Sequence, residues 1–288
     1  SPWNFPLAIF MGQVTAALSS FAQTLLQSAL DAQLRAHAKS GELELADPQR
    51  PSLGCGYVIL AMGKLGAFEL NYSSDIDLIL LFDPERSPYR GKRDLADFQI
   101  RFSKSLVRLL QDFTADGQVF RVDLRLRPDP GATPIALPVI AAESYYESAG
   151  KSWERAAMIK ARPVAGDIEL GQTFLRNIRP FIWRKHLDFA AIGDVYDMVK
   201  RIRAHHGHAE IQIPGHNIKL GAGGIREIEF FVQTHQLIAG GRDPELRDPT
   251  TLGMIEVLQR KAQLTAADAG QLRDAYVYLR NLEHRLQM

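Results

Sequence analysis

Gly56-Tyr-Val-Ile-Leu-Ala-Met-Gly63, followed by Asp75-Ile-Asp-Leu-Ile-Leu-Leu-Phe82, is the stretch whose reading decides the fold. Each apolar run is too short for a buried helix and is bounded by glycine or acid, so each reads as a buried strand. The first predicts a strand over Gly56 to Met62 and the second a strand over Ile76 to Phe82, with a short helix near Lys64 to Leu70 between them. Asp75 and Asp77 stand two apart at the mouth of the second strand, where a period of two sends both carboxylates to one face.

Moving toward the C-terminus, Leu95 to Phe113 has amphipathic helical spacing, and Val119 to Leu126 alternates. Arg121, Asp123, Arg125 and Arg127 fall on one face, Val122, Leu124 and Leu126 on the other, which predicts a third strand with one wet face. Beside the second strand, it would bring Asp123 to the pair. Three converging carboxylates raise one another's pKa unless a cation neutralises them, and Mg²⁺, with Mn²⁺ as its substitute, suits carboxylates acting together with substrate phosphates. Asp75, Asp77 and Asp123 are therefore the expected metal ligands and catalytic residues. Gly63 precedes Asp75 by the 11 residues Lys64 to Ser74, and a glycine there lets backbone amides approach a phosphate closely.

Two other motifs fail on single residues. A phosphate-binding P-loop needs glycine where Val58 stands and Ser or Thr where Leu65 stands, and an EF-hand loop from Asp75 needs an acid or amide at Ile79. Gly221-Ala-Gly-Gly224 before a helix from Ile225 is either an anion-binding helix start or a tight turn. Glu227 and Glu229 lie roughly 200° apart on that helix, so they cannot both face one metal. His205, His206 and His208 lack zinc-ligand spacing and read as a solvated helix end.

Toward the N-terminus, Leu18, Phe21, Leu25, Ala29, Leu30 and Leu34 recur at helical spacing and predict a helix over Val14 to Ala38 with one buried stripe. Beyond the prolines at 128, 130, 134 and 138, helices are predicted near Ala142 to Ser148, Trp153 to Met158, Ile168 to Asn177, Val195 to His206, Ile225 to Ala239, Thr250 to Gln259 and Ala266 to Met288. Glu210 to Leu220 reads as extended. The expected organisation is an N-terminal helical region over 1–50, a catalytic core over 51–140 and a mainly helical domain over 141–288 that completes the site. No internal repeat is visible.

Among the 288 residues, 46% are hydrophobic and 23% charged, with 34 Lys and Arg against 33 Asp and Glu. A formal charge of +1 supplies no overall field toward nucleic acid or an anionic membrane, so any anion site must be local. Cys55, the single cysteine, excludes an internal disulfide and a thiolate zinc cluster, which suits the cytoplasm. Leu7 to Met11 is too short to span a membrane and lacks the basic segment of a signal peptide. An opening without methionine and a closing helix without a stop signal lead us to expect a piece of a longer chain.

Strand, glycine, helix, Asp-x-Asp and a later third acid resemble the nucleotidyltransferase superfamily that includes DNA polymerase beta, which implies an α+β fold: a small mixed sheet with helices, plus a helical domain. One departure is that the usual Gly-Ser is Gly63-Lys64, where Lys64 either replaces a hydroxyl contact with a charge or faces solvent. Longer stretches are similar to one family. They are Ala61-Met-Gly-Lys-Leu-Gly66, Glu69-Leu-Asn-Tyr-Ser-Ser-Asp-Ile-Asp-Leu78, Arg121-Val-Asp-Leu-Arg-Leu-Arg-Pro128, Trp153-Glu-Arg-Ala-Ala-Met-Ile-Lys-Ala-Arg-Pro163 and Lys219-Leu-Gly-Ala-Gly-Gly-Ile-Arg-Glu-Ile-Glu-Phe230. They resemble the glutamine-synthetase adenylyltransferase family, whose chains hold two similar catalytic halves.

Asn-Tyr-Ser-Ser before Asp75 and Gly-Ile-Arg-Glu after Gly223 look like the N-terminal, adenylyl-removing half. The resemblance implies phosphorolysis: inorganic phosphate attacks the AMP held on a tyrosine of adenylylated glutamine synthetase and ADP leaves, with a PII-type signalling protein as regulatory partner and neither nucleic acid nor membrane. The alternatives are an ATP-dependent adenylyltransferase running the opposite way and a non-catalytic docking domain. Gly63, Lys64, Ser74, Arg125, Arg127, Lys160 and Arg162 are the expected nucleotide or phosphate contacts. For Arg125 and Arg127 cross-strand charge pairing is the equal alternative, and Lys160 and Arg162 taken alone favour a structural role.

Overall fold

A computed structural model describes residues 6–185 and 216–287. Helix α1 (Pro6–Lys39) opens the chain, followed by β1 (Tyr57–Ala61), the single turn α2 (Gly63–Gly66), β2 (Ile76–Phe82), α3 (Leu95–Gln111), β3 (Val122–Asp123) and β4 (Ala136–Pro138). Next come α4 (Val139–Ser148), α5 (Ser152–Met158), β5 (Arg162–Gly166), α6 (Ile168–Asn177) and α7 (Arg179–Ile182). The remaining described elements are α8 (Ile225–Ala239), a 3₁₀ turn (Pro244–Arg247), α9 (Thr251–Arg260) and α10 (Ala266–Gln287).

The five strands form one mixed sheet. β1 runs antiparallel between β2 and β5, while β3 and β4 each lie parallel to β2 along its other edge. Alternate residues of β1 and β2 feed two cores, which is why both strands read as unbroken apolar runs. Tyr57, Ile59, Leu78, Leu80 and Phe82 pack with Ala22, Leu26 and Leu30 of α1 and Phe98, Phe102 and Leu106 of α3. Val58, Leu60, Ile79 and Leu81 pack on the opposite side with Tyr146 of α4, Met158 of α5 and Phe174 of α6. A third cluster joins Ile228 and Val232 of α8 to Met254 and Leu258 of α9 and Tyr276 of α10. The result is the α+β fold expected, a small mixed sheet with helices and an added helical cluster.

Caps set the helix starts. Asp94 accepts from the amides of Ala96 and Asp97 at the head of α3, Asp167 from Leu170 at α6 and Thr250 from Gly253 at α9, each satisfying donors that the first turn leaves free.

Several expectations need correction. The buried stripe of α1 is Thr15, Ser19, Ala22, Leu26, Leu30 and Leu34; Phe21 is 58% exposed, and Leu25 and Ala29 flank the stripe. The helix expected over Lys64 to Leu70 is one turn. The third strand shrinks to two residues because Asp123 Oδ1 accepts from the amide of Arg125 at 2.8 Å, a local turn that ends the alternation. β4, β5, α7 and the 3₁₀ turn were not predicted. The helix expected over Val195 to His206, the cluster His205, His206 and His208, and residues 210–215 of the extended piece lie outside the described residues; residues 218–220, its far end, form a turn.

Candidate active site

β2 carries Asp77 at its second position, with Asp75 immediately before it, and β3 lies parallel with Asp123 in register with Asp77. The amide of Met62 donates to the carbonyl of Asp77 at 2.9 Å, which ties the end of β1 to the same point. Gly63 has φ +51°, and a Cβ there would meet Asp77 Oδ2 at 2.8 Å. Glycine is needed because the Asp77 carboxylate lies against the start of α2. A turn this short carries little helix dipole, so making room for Asp77 is the contribution of Gly63 seen here.

Burial, then Asp123 and Asp75, pushes the carboxyl of Asp77 up to about 6. Asp123 goes the other way: hydrogen bonds from the guanidinium of Arg125, at 2.9 and 2.5 Å to Oδ2, hold it below the usual carboxylate range. Asp75 pairs with Arg121 Nε at 2.5 Å, and Arg121 also donates to the carbonyl of Ser73. With two of the three acids turned to arginines, no three His, Cys, Asp or Glu side chains form a ready cation cage among the described residues. The donor chemistry is nevertheless that of a hard divalent cation, three carboxylates at one end of a cleft.

That cleft has a volume of about 760 Å³ and is lined by Gly63, Lys64, Ser74, Arg125 and Lys160 together with the three acids. Arg127 and Arg162 are not among its lining residues. Arg127 donates to the carbonyls of Leu124, Pro130, Thr133 and Pro134, clamping the loop before β4. Arg162 donates to the carbonyls of Leu65 and Gly66 and to Gln23, and stacks over Phe68 at 3.8 Å.

Lys64 neither reaches into solvent nor stands free. Its ammonium is 2.8 Å from Glu283 Oε1 on α10, and burial, reinforced by Arg280, lowers its pKa to about 8. Lys160 is buried and pairs with Glu69 at 3.1 Å; burial presses its pKa down, but Glu69 and Glu229 outweigh that and leave it raised. Lys219, Arg226 and Glu229 also line the cleft and were not anticipated as site residues. Glu229 is buried yet ionised: burial presses its pKa up, and Lys160, Arg226 and Arg280 bring it below normal. Glu227 instead accepts from the amide of Gly223 at 3.1 Å, so the two acids do point to different tasks.

The last turns of α10 hold the loop that delivers Asp75. Glu283 Oε2 accepts from Asn71 at 2.5 Å, Arg280 donates to the Asn71 side chain at 2.5 Å and the Glu69 carbonyl at 2.6 Å, and Gln287 accepts from the amide of Ser73 at 3.4 Å. No helix among the described residues is long and apolar enough to cross a membrane.

Residues 8–177 match the family model described as glutamate-ammonia ligase adenylyltransferase, and residues 196–288 match that of GlnD PII-uridylyltransferase. Relatives named bifunctional glutamine synthetase adenylyltransferase/adenylyl-removing enzyme include proteins of Bradyrhizobium sp. (strain ORS 278), 55% identical, and Rhizobium meliloti (strain 1021), 53% identical, each over 96% of this chain. The relative from Xanthobacter autotrophicus is 54% identical, also over 96% of the chain. The chain spans 28% of the length of each of these relatives. With a family model matched over more than half its residues and a sheet that brings Asp75, Asp77 and Asp123 to one cleft, the chain belongs to the glutamate-ammonia ligase adenylyltransferase family.

Proposed function

We propose that this chain carries an adenylyl-removing activity: phosphorolysis of the AMP–tyrosine bond of adenylylated glutamine synthetase, with release of ADP. The observation that carries the proposal is the cleft itself, in which three carboxylates share one cavity with Lys219 and Arg226, offering phosphoryl groups both cation-binding carboxylates and cationic side chains. The direction rests on Asn71-Tyr-Ser-Ser74 and Gly224-Ile-Arg-Glu227, which resemble the removing half; the relatives' names carry both activities.

In the reaction an oxygen of orthophosphate attacks the phosphorus of tyrosine-bound AMP, the bond from that phosphorus to the tyrosine oxygen breaks, and ADP forms. Orthophosphate is already anionic near neutral pH, so the chain has to orient it and screen its charge more than deprotonate it. Asp75, Asp77 and Asp123 would hold Mg²⁺ or Mn²⁺, which when bound supplies charge neutralisation to the phosphoryl oxygens. Arg121 and Arg125 offset two of these carboxylates, while Asp77, half-buried against Gly63, is held in place by backbone packing. The departing tyrosine oxygen, whose pKa is about 10, takes up a proton as it leaves. A PII-type signalling protein is the regulatory partner we propose, in keeping with the family and with the second matched model.

Supplying adenylylated glutamine synthetase, Mg²⁺ and phosphate and following ADP tests the reading. Steady ADP release supports it. Pyrophosphate release from ATP with unmodified glutamine synthetase marks a transferase instead, and silence in both assays marks a docking module.

A further inference from the structure

Among the basic residues expected to contact phosphate, Arg127 and Arg162 are consumed by backbone carbonyls, Lys160 is buried against Glu69, and Arg125 is spent on Asp123. Lys64 is paired with Glu283 and Arg121 with Asp75, which leaves two further cations lining the same cleft. Lys219 is exposed, and among the described residues its ammonium has no carboxylate at ion-pair distance. Arg226 is 45% exposed in its side chain, lies over the ring of Phe230 at 5.8 Å, and touches Glu229 only at 3.5 Å.

The backbone fixes these two residues to each other. The amide of Arg226 donates to the carbonyl of Lys219 at 3.0 Å, and that of Ile225 to Ile218, also at 3.0 Å. Asn217 Oδ1 accepts from the amides of Lys219 and Leu220, closing the turn from its other end. Gly221-Ala-Gly-Gly224 is thus a tight turn: a Cβ on Gly224 would meet the carbonyl oxygen of Ile218 at 2.7 Å. Its effect is to present Lys219 and Arg226 side by side at the head of α8. Both cations line the same cleft as Asp75, Asp77 and Asp123.

We infer that Lys219 and Arg226 form the subsite that holds the attacking orthophosphate, across the cleft from Asp75, Asp77 and Asp123. An arginine fork and a lysine point charge together match a tetrahedral dianion, and Glu229 steadies the guanidinium from behind without neutralising the lysine. The inference deepens the phosphorolysis reading and rests on it for the ligand's role.

Orthophosphate binding by calorimetry in Mg²⁺, without protein substrate, tests the subsite apart from the reaction's direction. Lys219→Gln and Arg226→Gln should each weaken binding about ten- to a hundredfold, the loss of one charge-assisted contact. Lys219→Arg and Arg226→Lys should recover part of it, and Lys104→Gln on the exposed face of α3 should change nothing. In turnover, the two Gln variants should raise the KM for phosphate and leave the KM for adenylylated glutamine synthetase in place. Wild-type affinity in both Gln variants overturns the assignment, as does a wild-type chain that binds no orthophosphate. Phosphate bound through these residues by a chain that releases no ADP sinks the phosphorolysis reading and keeps the subsite.

Discussion

Asp77→Asn should abolish turnover and at the same time make the chain more stable. In the fold Asp77 titrates at about 6 instead of the ordinary 3.8, because burial and two neighbouring acids penalise its charge. A group whose folded pKa is raised binds more protons folded than unfolded, so its contribution to stability is present at low pH and is lost as pH rises through that window. Above about pH 7 the ionised side chain costs the fold up to about 3 kcal/mol at about 1.4 kcal/mol per pKa unit, which partial solvent access reduces to about 1–2 kcal/mol. Asparagine keeps the shape and removes the charge. With EDTA present at pH 8, the variant should unfold about 2–3 °C above wild type. At pH 5 wild-type Asp77 is largely protonated in the fold but still ionised when unfolded, so the advantage should fall to roughly half, and it should approach zero only below pH 3.8. Adding Mg²⁺ should raise the wild-type Tm and leave the variant's unchanged. A variant less stable than wild type at pH 8 in EDTA, or equally stabilised at both pH values, refutes the electrostatic account of this residue.

Gly63→Ala should lose at least a hundredfold in turnover, since its methyl would stand 2.8 Å from Asp77 Oδ2 at a φ of +51°, while stability falls by only about 1–2 kcal/mol for the left-handed backbone; activity within twofold of wild type counts against the placement of Asp77. Glu283→Ala strands the buried cations Lys64 and Arg280 and should destabilise by about 3–5 kcal/mol, read by urea unfolding, with a loss under 1 kcal/mol contradicting the clamp on the 69–73 loop. The thiol of Cys55, pushed up to about 12 by burial and donating to the carbonyl of Tyr57, should form thiolate roughly a thousandfold less than a free cysteine. It should resist a thiol reagent at pH 8 until the chain is unfolded, and native labelling within tenfold of a free cysteine's rate argues against the packing around β1.

The parts of this molecule that could be read from its sequence are those whose cause is local. β1 and β2 are short apolar runs closed by glycine and acid, and Asp75, Asp77 and Gly63 owe their relation to eleven intervening residues. β5 escaped because Pro163 argues locally against a strand; the proline is accommodated on an edge strand, beside an irregularity in the pairing with β1. β3 was read too long because alternation alone does not reveal that Asp123 would fold its side chain back onto the amide of Arg125. Phe21 shows the same weakness in a helix, where a periodic stripe can be displaced to the adjacent residue, Ala22, by what it packs against. Lys64, Glu229 and Glu283 acquire their surroundings from segments far away in sequence, as when Glu283 reaches Lys64, and no local pattern marks such pairs.

The most direct test of the central claim uses adenylylated glutamine synthetase, Mg²⁺ and ³²P-orthophosphate. The account predicts ADP labelled in its β-phosphate, one for each tyrosine freed, and no labelled ADP from Asp75→Asn or Asp77→Asn. Unlabelled AMP in place of labelled ADP, or undiminished label transfer by either variant, would contradict it.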